Sequence, residues 1–390
     1  MRSIILAALT VTTFGLVSCG GEEPAPLTPP APPPAPSAPP VVSATPVPVE
    51  SAAPAPPPKP ALSDVIPQTL KGLADAFNAH DATKFASYYT DDAIVTAYGR
   101  PMTSGREGIS SGLQALFLTF SDVKTGVPRI WVKGNVAIAE SVWAGTMTGD
   151  FMSIKASKKP AGELQVVVYS FNDDGLVKEA RQYADDAGLL AQLKGLKGAP
   201  PVPVVPSSPP EVHVAKGTPE EDKLTDWAKS IDDTAAKDDA VAAAALVADD
   251  GDIWTNVSAA PASKGKKDVA KAEGAWVKAI PDQKWALANA WGIDGYAIVE
   301  HAVSGTQKTA IGTLPTSNKA ISGWHWISVM QPNADSKIAH AWSYANAYEA
   351  GMQTGALKLP IPVLAKKAPD SPAPSASSAG KTPTNAGPKK

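Results

Sequence analysis

The sequence predicts an α+β fold arranged as two tandem domains. Asp64–Asn78 carries apolar residues at helical spacing, and four longer segments of strand character follow it. Proline-rich stretches flank this part of the chain on both sides. From Gly217 onwards a second run of similar landmarks appears, displaced by about 160 residues. We therefore expect two folded domains joined by linkers.

The amino-acid composition excludes a disulfide framework and argues against one class of partner. Of the 390 residues, 39 are proline and one is cysteine, so two domains of ordinary size fit and a disulfide framework is excluded. The formal net charge of −3 argues against a nucleic-acid partner, which would need a basic patch.

The N-terminal residues resemble a bacterial lipoprotein signal. Arg2 supplies a positive charge, Ile4–Leu16 is apolar, and the run Leu16-Val17-Ser18-Cys19 follows at once. The apolar run is too short for a stable transmembrane helix. The resemblance implies cleavage before Cys19 and acylation of its thiol, which would anchor the chain to a membrane. Gly20 in place of an aspartate implies the outer membrane; an ordinary signal peptide with an incidental thiol is the alternative.

Changes in composition set the domain boundaries. We predict a signal peptide, a Pro/Ala-rich tether, a first domain, a Pro-rich linker, a second domain and a disordered tail. Their respective ranges are 1–18, 19–61, 62–198, 199–216, 217–362 and 363–390.

In the first domain the pattern predicts three helices, then a series of strands and a short closing helix. The helices are Asp64–Asn78, Thr83–Tyr89 and Glu107–Phe120, with a strand at Ile94–Ala97. The longer strands are predicted at Val123–Val132, Val136–Met147, Glu163–Phe171 and Leu176–Asp185, and the closing helix at Ala187–Leu193.

The second domain repeats this order. Glu220–Ala236 is predicted as a helix because Thr218-Pro219 is a typical helix start. The second copy holds eight of the ten tryptophans, so indoles either fill its interior or form a wall that recognises a ligand. These eight are Trp227, Trp254, Trp276, Trp285, Trp291, Trp324, Trp326 and Trp342.

The end of the first domain carries a family resemblance. A strand ending in Asp185, followed by Gly188-Leu189-Leu190 and Gln192-Leu193, resembles the SnoaL-like polyketide cyclases of the nuclear transport factor 2-like superfamily. The family's other landmarks precede it in order: Phe77–Asp81, Asp91–Ala93, Gly105–Ile109 and Val136–Glu140. The resemblance implies cone-shaped domains in two copies, the second divergent. Each would have about three helices on a curved antiparallel sheet that encloses a pocket.

The resemblance also implies a role for Asp185 as general acid/base in an aldol closure. Burial in an apolar cone would raise the pKa of this carboxyl towards working pH. Arg181 is predicted on the same strand face, where it would lower that pKa and could instead form a structural ion pair with Asp185. The matching residue of the second copy is Asn346, whose amide cannot shuttle a proton.

Further side chains on the same strands are candidates for lining a ligand pocket. Glu140 and Glu300 occupy equivalent positions, and each faces either a pocket or solvent. Tyr183, Tyr344 and Trp342 could stack against a flat ligand or fill a core. With Arg181 and Asn346, these residues complete the predicted ligand set.

No cofactor or metal is expected. The histidines show neither a His-Glu-x-x-His motif nor cysteine spacing typical of metal sites, and the chain lacks a Gly-rich phosphate loop. The five histidines are His80, His213, His301, His325 and His340.

Three functions remain open on the sequence. The first is a lipid-anchored binding or interaction module of the bacterial cell envelope, with a small apolar or aromatic ligand. The second is a cofactor-free cyclase or isomerase that uses Asp185, with a degenerate second copy. The third is an interaction protein whose sheets pair with each other or with another chain.

Overall fold

The computed structural model describes residues 59–151, 154–257, 262–312 and 314–357. The predicted signal peptide, Cys19, nearly all of the tether and the C-terminal tail lie outside these ranges. We call residues 59–214 the first half and residues 215–357 the second half. Each half contains one β-sheet with helices, which confirms an α+β fold with two sheets.

The first half contains four helices and seven strands within the described residues. Three of these helices precede the longer strands, and the fourth is the closing helix predicted at Ala187–Leu193. The elements are α1 (Leu62–Asn78), α2 (Ala82–Ala86), β1 (Tyr89–Ala97), β2 (Thr103–Ser104), α3 (Gly105–Thr119), β3 (Lys124–Lys133), β4 (Val136–Thr146), β5 (Pro160–Phe171), β6 (Val177–Tyr183), α4 (Asp186–Lys194) and β7 (Glu211–Val214).

The first sheet has the strand order β2-β1-β6-β5-β4-β3-β7. The predicted antiparallel pairing holds for four of the six strand pairs, whereas β1 pairs with β6 and β3 pairs with β7 in parallel. Neither pair is joined by a hairpin, so no tight turn fixes its direction. Strand β7 lies within the stretch predicted as a linker. Its four residues lack proline, so their N–H groups can join the ladder.

The second half repeats the order of elements. Its elements are α5 (Pro219–Ala235), α6 (Ala240–Ala245), β8 (Val247–Thr255), β9 (Ser263–Lys264), α7 (Gly265–Ala279), β10 (Lys284–Ile293), β11 (Tyr296–Thr306), β12 (Ala320–Pro332), β13 (Ile338–Ala345) and α8 (Ala347–Thr354). The sheet order β10-β11-β12-β13-β8-β9 matches that of the first half without β7.

The predicted start of α5 is confirmed. Thr218 and Glu221 form a capping box, in which Oγ1 of Thr218 accepts a hydrogen bond from the Glu221 amide. The Glu221 carboxylate accepts bonds from the amides of Lys216 and Gly217, at 3.0 and 2.8 Å. Pro219 occupies the first helical turn, where its missing N–H costs nothing.

Alternation along each strand gives each sheet two different faces. On β5, Val167 packs against Leu70 and Leu73 of α1, so this is the helix-covered face of the sheet. Val166 and Val168 point the other way, onto the outer face.

The outer faces of the two sheets pack on one another. Their contact is a cluster of buried apolar and aromatic residues drawn from both halves. Its fully or nearly buried members are Trp131, Ile138, Val166, Val168 and Tyr183 of the first half, and Ile293, Tyr296, Ile298, Ile327, Val329 and Tyr344 of the second.

Candidate functional site

The first half contains a cavity of about 540 Å³. It lies between α1, α3 and the helix-covered face of strands β3 to β6, and Tyr348 of α8 also lines it. Its size falls within the range usual for small-molecule sites. Its apolar walls include the aromatic side chains Phe77, Phe85, Tyr89, Trp143, Phe151 and Tyr169.

A row of polar side chains crosses one wall of the cavity. Ser141, Gln165 and Gln182 come from the neighbouring strands β4, β5 and β6. Nε2 of Gln165 donates to Oγ of Ser141 at 3.0 Å, and Nε2 of Gln182 donates to Oε1 of Gln165. These bonds hold the side chains in fixed positions, so the row can orient a ligand.

Glu163 lies next to this row on β5 and also lines the cavity. It is only 6% exposed, and its Oε1 has no hydrogen-bond partner among the described residues. Burial raises the pKa of Glu163, while the positive charge of Arg100 and the Trp143 indole act in the opposite direction. The sequence analysis missed this residue, although the alternation of Glu163, Gln165 and Val167 on one strand face is a visible signal.

Arg100 lines the same end of the cavity, and its charge is already paired. Its Nε donates to Oδ2 of Asp186 at 2.7 Å, and Nη2 contacts Oδ1. Asp186 also accepts a bond of 2.8 Å from Nδ2 of Asn346. The guanidinium is therefore held by a buried carboxylate at the start of α4.

Asp185 is the N-cap of α4 and is not one of the residues that line the cavity. Its Oδ2 accepts from the Gly188 amide and its Oδ1 from the Ala347 amide of the second half, both at 3.1 Å. Burial, followed by the negative charge of Glu163, raises the pKa of Asp185 to about 7. Burial thus acts on this carboxyl group in the direction expected for an apolar cone, but Asp185 does not line the cavity.

The ion pair predicted between Arg181 and Asp185 is not formed. Arg181 instead binds Glu300, with Nε 3.0 Å from Oε1 and Nη2 2.8 Å from Oε2, and it also contacts Glu179. Strand β6 ends at Tyr183, and the chain then turns into the helix N-cap. The two-residue period therefore does not extend to Asp185, which leaves the face that holds Arg181.

The remaining ligand-pocket candidates lie between the two sheets, and this corrects the prediction that they line a pocket. Ala180 and Gln182 face the cavity, so Arg181 and Tyr183 point to the outer face. The hydroxyl of Tyr183 donates to Oε1 of Glu300 at 2.7 Å.

An equivalent set surrounds Glu140. The hydroxyl of Tyr344 donates to its Oε1, and Arg129 binds both carboxylate oxygens at 2.7 and 3.0 Å. The Arg129 guanidinium also lies 4.1 Å from the centre of the Trp342 ring. Glu140 and Glu300 face neither solvent nor the cavity, since they are 4% and 1% exposed.

Asn346 is the N-cap of α8 and forms a reciprocal pair with Asp185. Its Oδ1 accepts from the Asp186 amide at 3.1 Å, while Asp185 accepts from the Ala347 amide. Each helix start is thus capped in part by the other half.

In the second half, indoles occupy the helix-covered face. Strand register makes Trp324 the counterpart of Glu163, because these residues pair with Val303 and Trp143 respectively. Trp326 likewise corresponds to Gln165. Ring centres of Trp324 and Trp326 lie 4.7 Å apart, and that of Trp276 lies 5.8 and 5.5 Å from them. Of the two sequence alternatives, the structure favours filling by indoles.

The described ranges contain no group of three His, Cys, Asp or Glu residues placed to hold a metal ion. No helix in the same ranges is long and apolar enough to span a membrane. The histidines bind separate partners, such as Val123 for His80 and Glu349 for His325.

Comparison with protein families gives a match within the first half. Residues 68–193 match the family model described as SnoaL-like polyketide cyclase, so this part of the chain carries a SnoaL-like domain. Comparison with curated proteins gave no match.

Several solved structures resemble a third of the chain. A hypothetical protein with a ketosteroid isomerase-like fold from Catenulispora acidiphila is 17% identical, with 34% of this chain and 95% of that chain covered and a TM-score of 0.30. TsrD from Streptomyces laurentii is 20% identical over 34% of this chain and 97% of its own, with a TM-score of 0.32. IdmH from Streptomyces antibioticus is 26% identical over 33% and 96%, with a TM-score of 0.30.

Proposed function

We propose that the protein binds a small molecule in the cavity of the first half, and that the second half serves as its structural partner. The observation that carries this proposal is that equivalent positions of the two halves hold different kinds of side chain. Glu163 and Gln165 line a cavity of about 540 Å³, whereas Trp324 and Trp326 pack together in the second half. A site with apolar walls and a few fixed polar groups is typical of ligand binding.

A fluorescent probe tests the proposal. N-phenyl-1-naphthylamine is uncharged at neutral pH and brightens when it enters an apolar site. We expect saturable binding to the wild type, and loss of binding when the double substitution Glu163→Trp with Gln165→Trp transfers the indoles of the second half. Ser111→Trp is the control, because it adds an indole on the exposed side of α3 outside the cavity.

Two results would refute cavity binding. One is unchanged probe binding by the doubly substituted protein, and the other is equal loss in the Ser111→Trp control. Circular dichroism and a thermal melt of each variant establish that it is folded.

A cofactor-free acid–base enzyme is the second candidate. It is favoured by the raised pKa values of Asp185 and of Glu163, of which Glu163 lines the cavity. An isomerisation needs only a proton removed from one substrate atom and returned to another, and one carboxyl group can do both. Turnover that disappears in Glu163→Gln while probe binding remains would favour this function over binding alone.

We also propose that the protein is anchored to the outer membrane of a bacterial cell envelope through an acylated Cys19. The support is the charged, apolar and cysteine-terminated pattern of residues 1–19.

A further inference from the structure

The end of the cavity near α4 carries more negative than positive groups. Arg100 is the one basic residue among the described residues that line the cavity. Three carboxyl groups surround it: Asp186 binds it directly, Glu163 lines the cavity beside it, and Asp185 interacts with Glu163. Arg100 supplies one positive charge beside three carboxyl groups, so its charge, which Asp186 binds directly, cannot balance all three.

Glu163 has one carboxylate oxygen without a hydrogen bond in the described ranges. Its Oε1 is buried without a partner among the described residues. The nearby amides of Gln165 and Gln182 donate to Ser141 and to Gln165, respectively, and neither donates to Glu163. A buried polar atom left in this state is destabilising unless a further molecule supplies the missing bond.

The walls beside Glu163 suit an organic cation. Trp143 lies directly opposite Glu163 in the strand register, and both residues line the cavity. Aromatic faces attract cations, and the apolar walls can take the hydrocarbon part of a ligand. Phe77, Phe85 and Phe151 supply more of these walls.

We propose that the cavity of the first half selects organic ammonium ions, in which a protonated amine on an apolar body donates a hydrogen bond to the Glu163 carboxylate. This inference rests on the proposed function, since it requires the cavity to bind ligands. The charge imbalance and the unbonded Oε1 of Glu163 favour a cation over a neutral alcohol or an anion. Arg100 stays bound to Asp186 and borders the site.

Three probes of matched size test this selectivity. They are 2-phenylethylamine, which is cationic at pH 7.5, the neutral 2-phenylethanol and the anion phenylacetate. Their affinities are measured on the full chain by displacement of N-phenyl-1-naphthylamine and by calorimetry. We expect the amine to bind at least roughly tenfold more tightly than the alcohol, because it adds a charge-assisted hydrogen bond, and the anion to bind most weakly.

Two charge-removing variants identify the group responsible. Glu163→Gln keeps the shape of the side chain and should reduce the preference for the amine over the alcohol to about twofold or less. Glu179→Gln removes a carboxylate that contacts Arg181 and lies away from the cavity lining, so it should keep the preference.

The outcomes separate this inference from the proposed function. Equal binding of amine and alcohol to the wild type would overturn the inference and leave cavity binding intact. A preference for the amine that persists in Glu163→Gln would also overturn the inference, and it would also leave cavity binding intact. Failure of the fluorescent probe and all three ligands to bind would overturn both.

Discussion

Arg181 and Glu300 join the two halves of the chain through a two-point ion pair. The guanidinium Nε and Nη2 lie 3.0 and 2.8 Å from the two carboxylate oxygens. Glu300 is 1% exposed and also accepts bonds of 2.7 Å from Tyr183 and from Asn289. Its charge is therefore compensated entirely by groups on the two facing sheets, and this arrangement has measurable consequences.

Arg181→Met should lower the free energy of unfolding by about 3–5 kcal/mol, because it leaves a buried carboxylate without its cation. Adding Glu300→Gln to the same protein should restore part of the loss. The double-mutant cycle, measured by urea denaturation, should therefore show strong coupling between the two positions.

A second double-mutant cycle, of Arg181→Met with Asp185→Asn, should show no such coupling. The two residues share no hydrogen-bond partner within the described residues, so their effects should add to within about 0.5 kcal/mol. Strong coupling here, with none to Glu300, would contradict the contacts described above.

Gly112 offers a way to narrow the cavity without damaging the fold. It lies inside α3 and lines the cavity, and a Cβ at this position would meet no atom within 4 Å. Gly112→Ala and Gly112→Leu should each stabilise the protein by up to about 1 kcal/mol, since glycine disfavours helices. Only the leucine side chain is long enough to enter the cavity, so it should weaken binding of N-phenyl-1-naphthylamine while alanine keeps it. Equal probe binding by both variants would contradict this placement.

The stability of Asp185→Asn relative to wild type should depend on pH. Burial raises the pKa of Asp185 to about 7 in the folded protein, compared with about 3.9 in an unfolded chain. The stabilisation associated with the protonated form is complete below about pH 4 and is lost as pH rises through about 7.

The asparagine variant has no such titration. The difference in unfolding free energy, wild type minus variant, should therefore decrease by roughly 2–3 kcal/mol when the pH rises from 5 to 8. Urea denaturation of both proteins at the two pH values measures the change. A stability difference that is the same at pH 5 and pH 8 would refute the raised pKa.

Cys19→Ser tests the proposed anchor. Without the thiol no acyl chain can be attached, so the protein should leave the membrane fraction or remain as an uncleaved precursor. Fractionation of cells and the mass of the mature protein distinguish these cases. A variant that is processed and sediments as wild type does would refute the anchor.

Sequence periodicity predicted the positions of α1 and β6 well, but it did not predict where β6 ends before Asp185. The predicted helix Asp64–Asn78 agrees closely with α1, and the predicted strand Leu176–Asp185 contains all of β6. Extending that strand by two residues nevertheless put Asp185 on the face of Arg181. Helix caps and strand ends differ in backbone angles that alternation alone does not specify.

The sequence also could not decide which face of a strand is enclosed by helices. Alternation groups Arg181 with Tyr183 correctly, yet their partner Glu300 lies 119 residues away from Arg181. Buried charges on a strand suggested a ligand pocket because no partner was visible in the local sequence. The same rule of alternation, applied to β5, would have grouped Glu163 with Gln165.

The outer faces of the two sheets pack together, so each half excludes water from the outer sheet face of the other. In a dimer of identical chains every substitution would appear twice, so both interiors would have to remain alike. On one chain, Trp324 and Trp326 can fill one interior while Glu163 and Gln165 keep the other available. Because the halves belong to one chain, dilution cannot separate them. A ligand that stabilises the folded first half also stabilises the sheet face against which the second half packs.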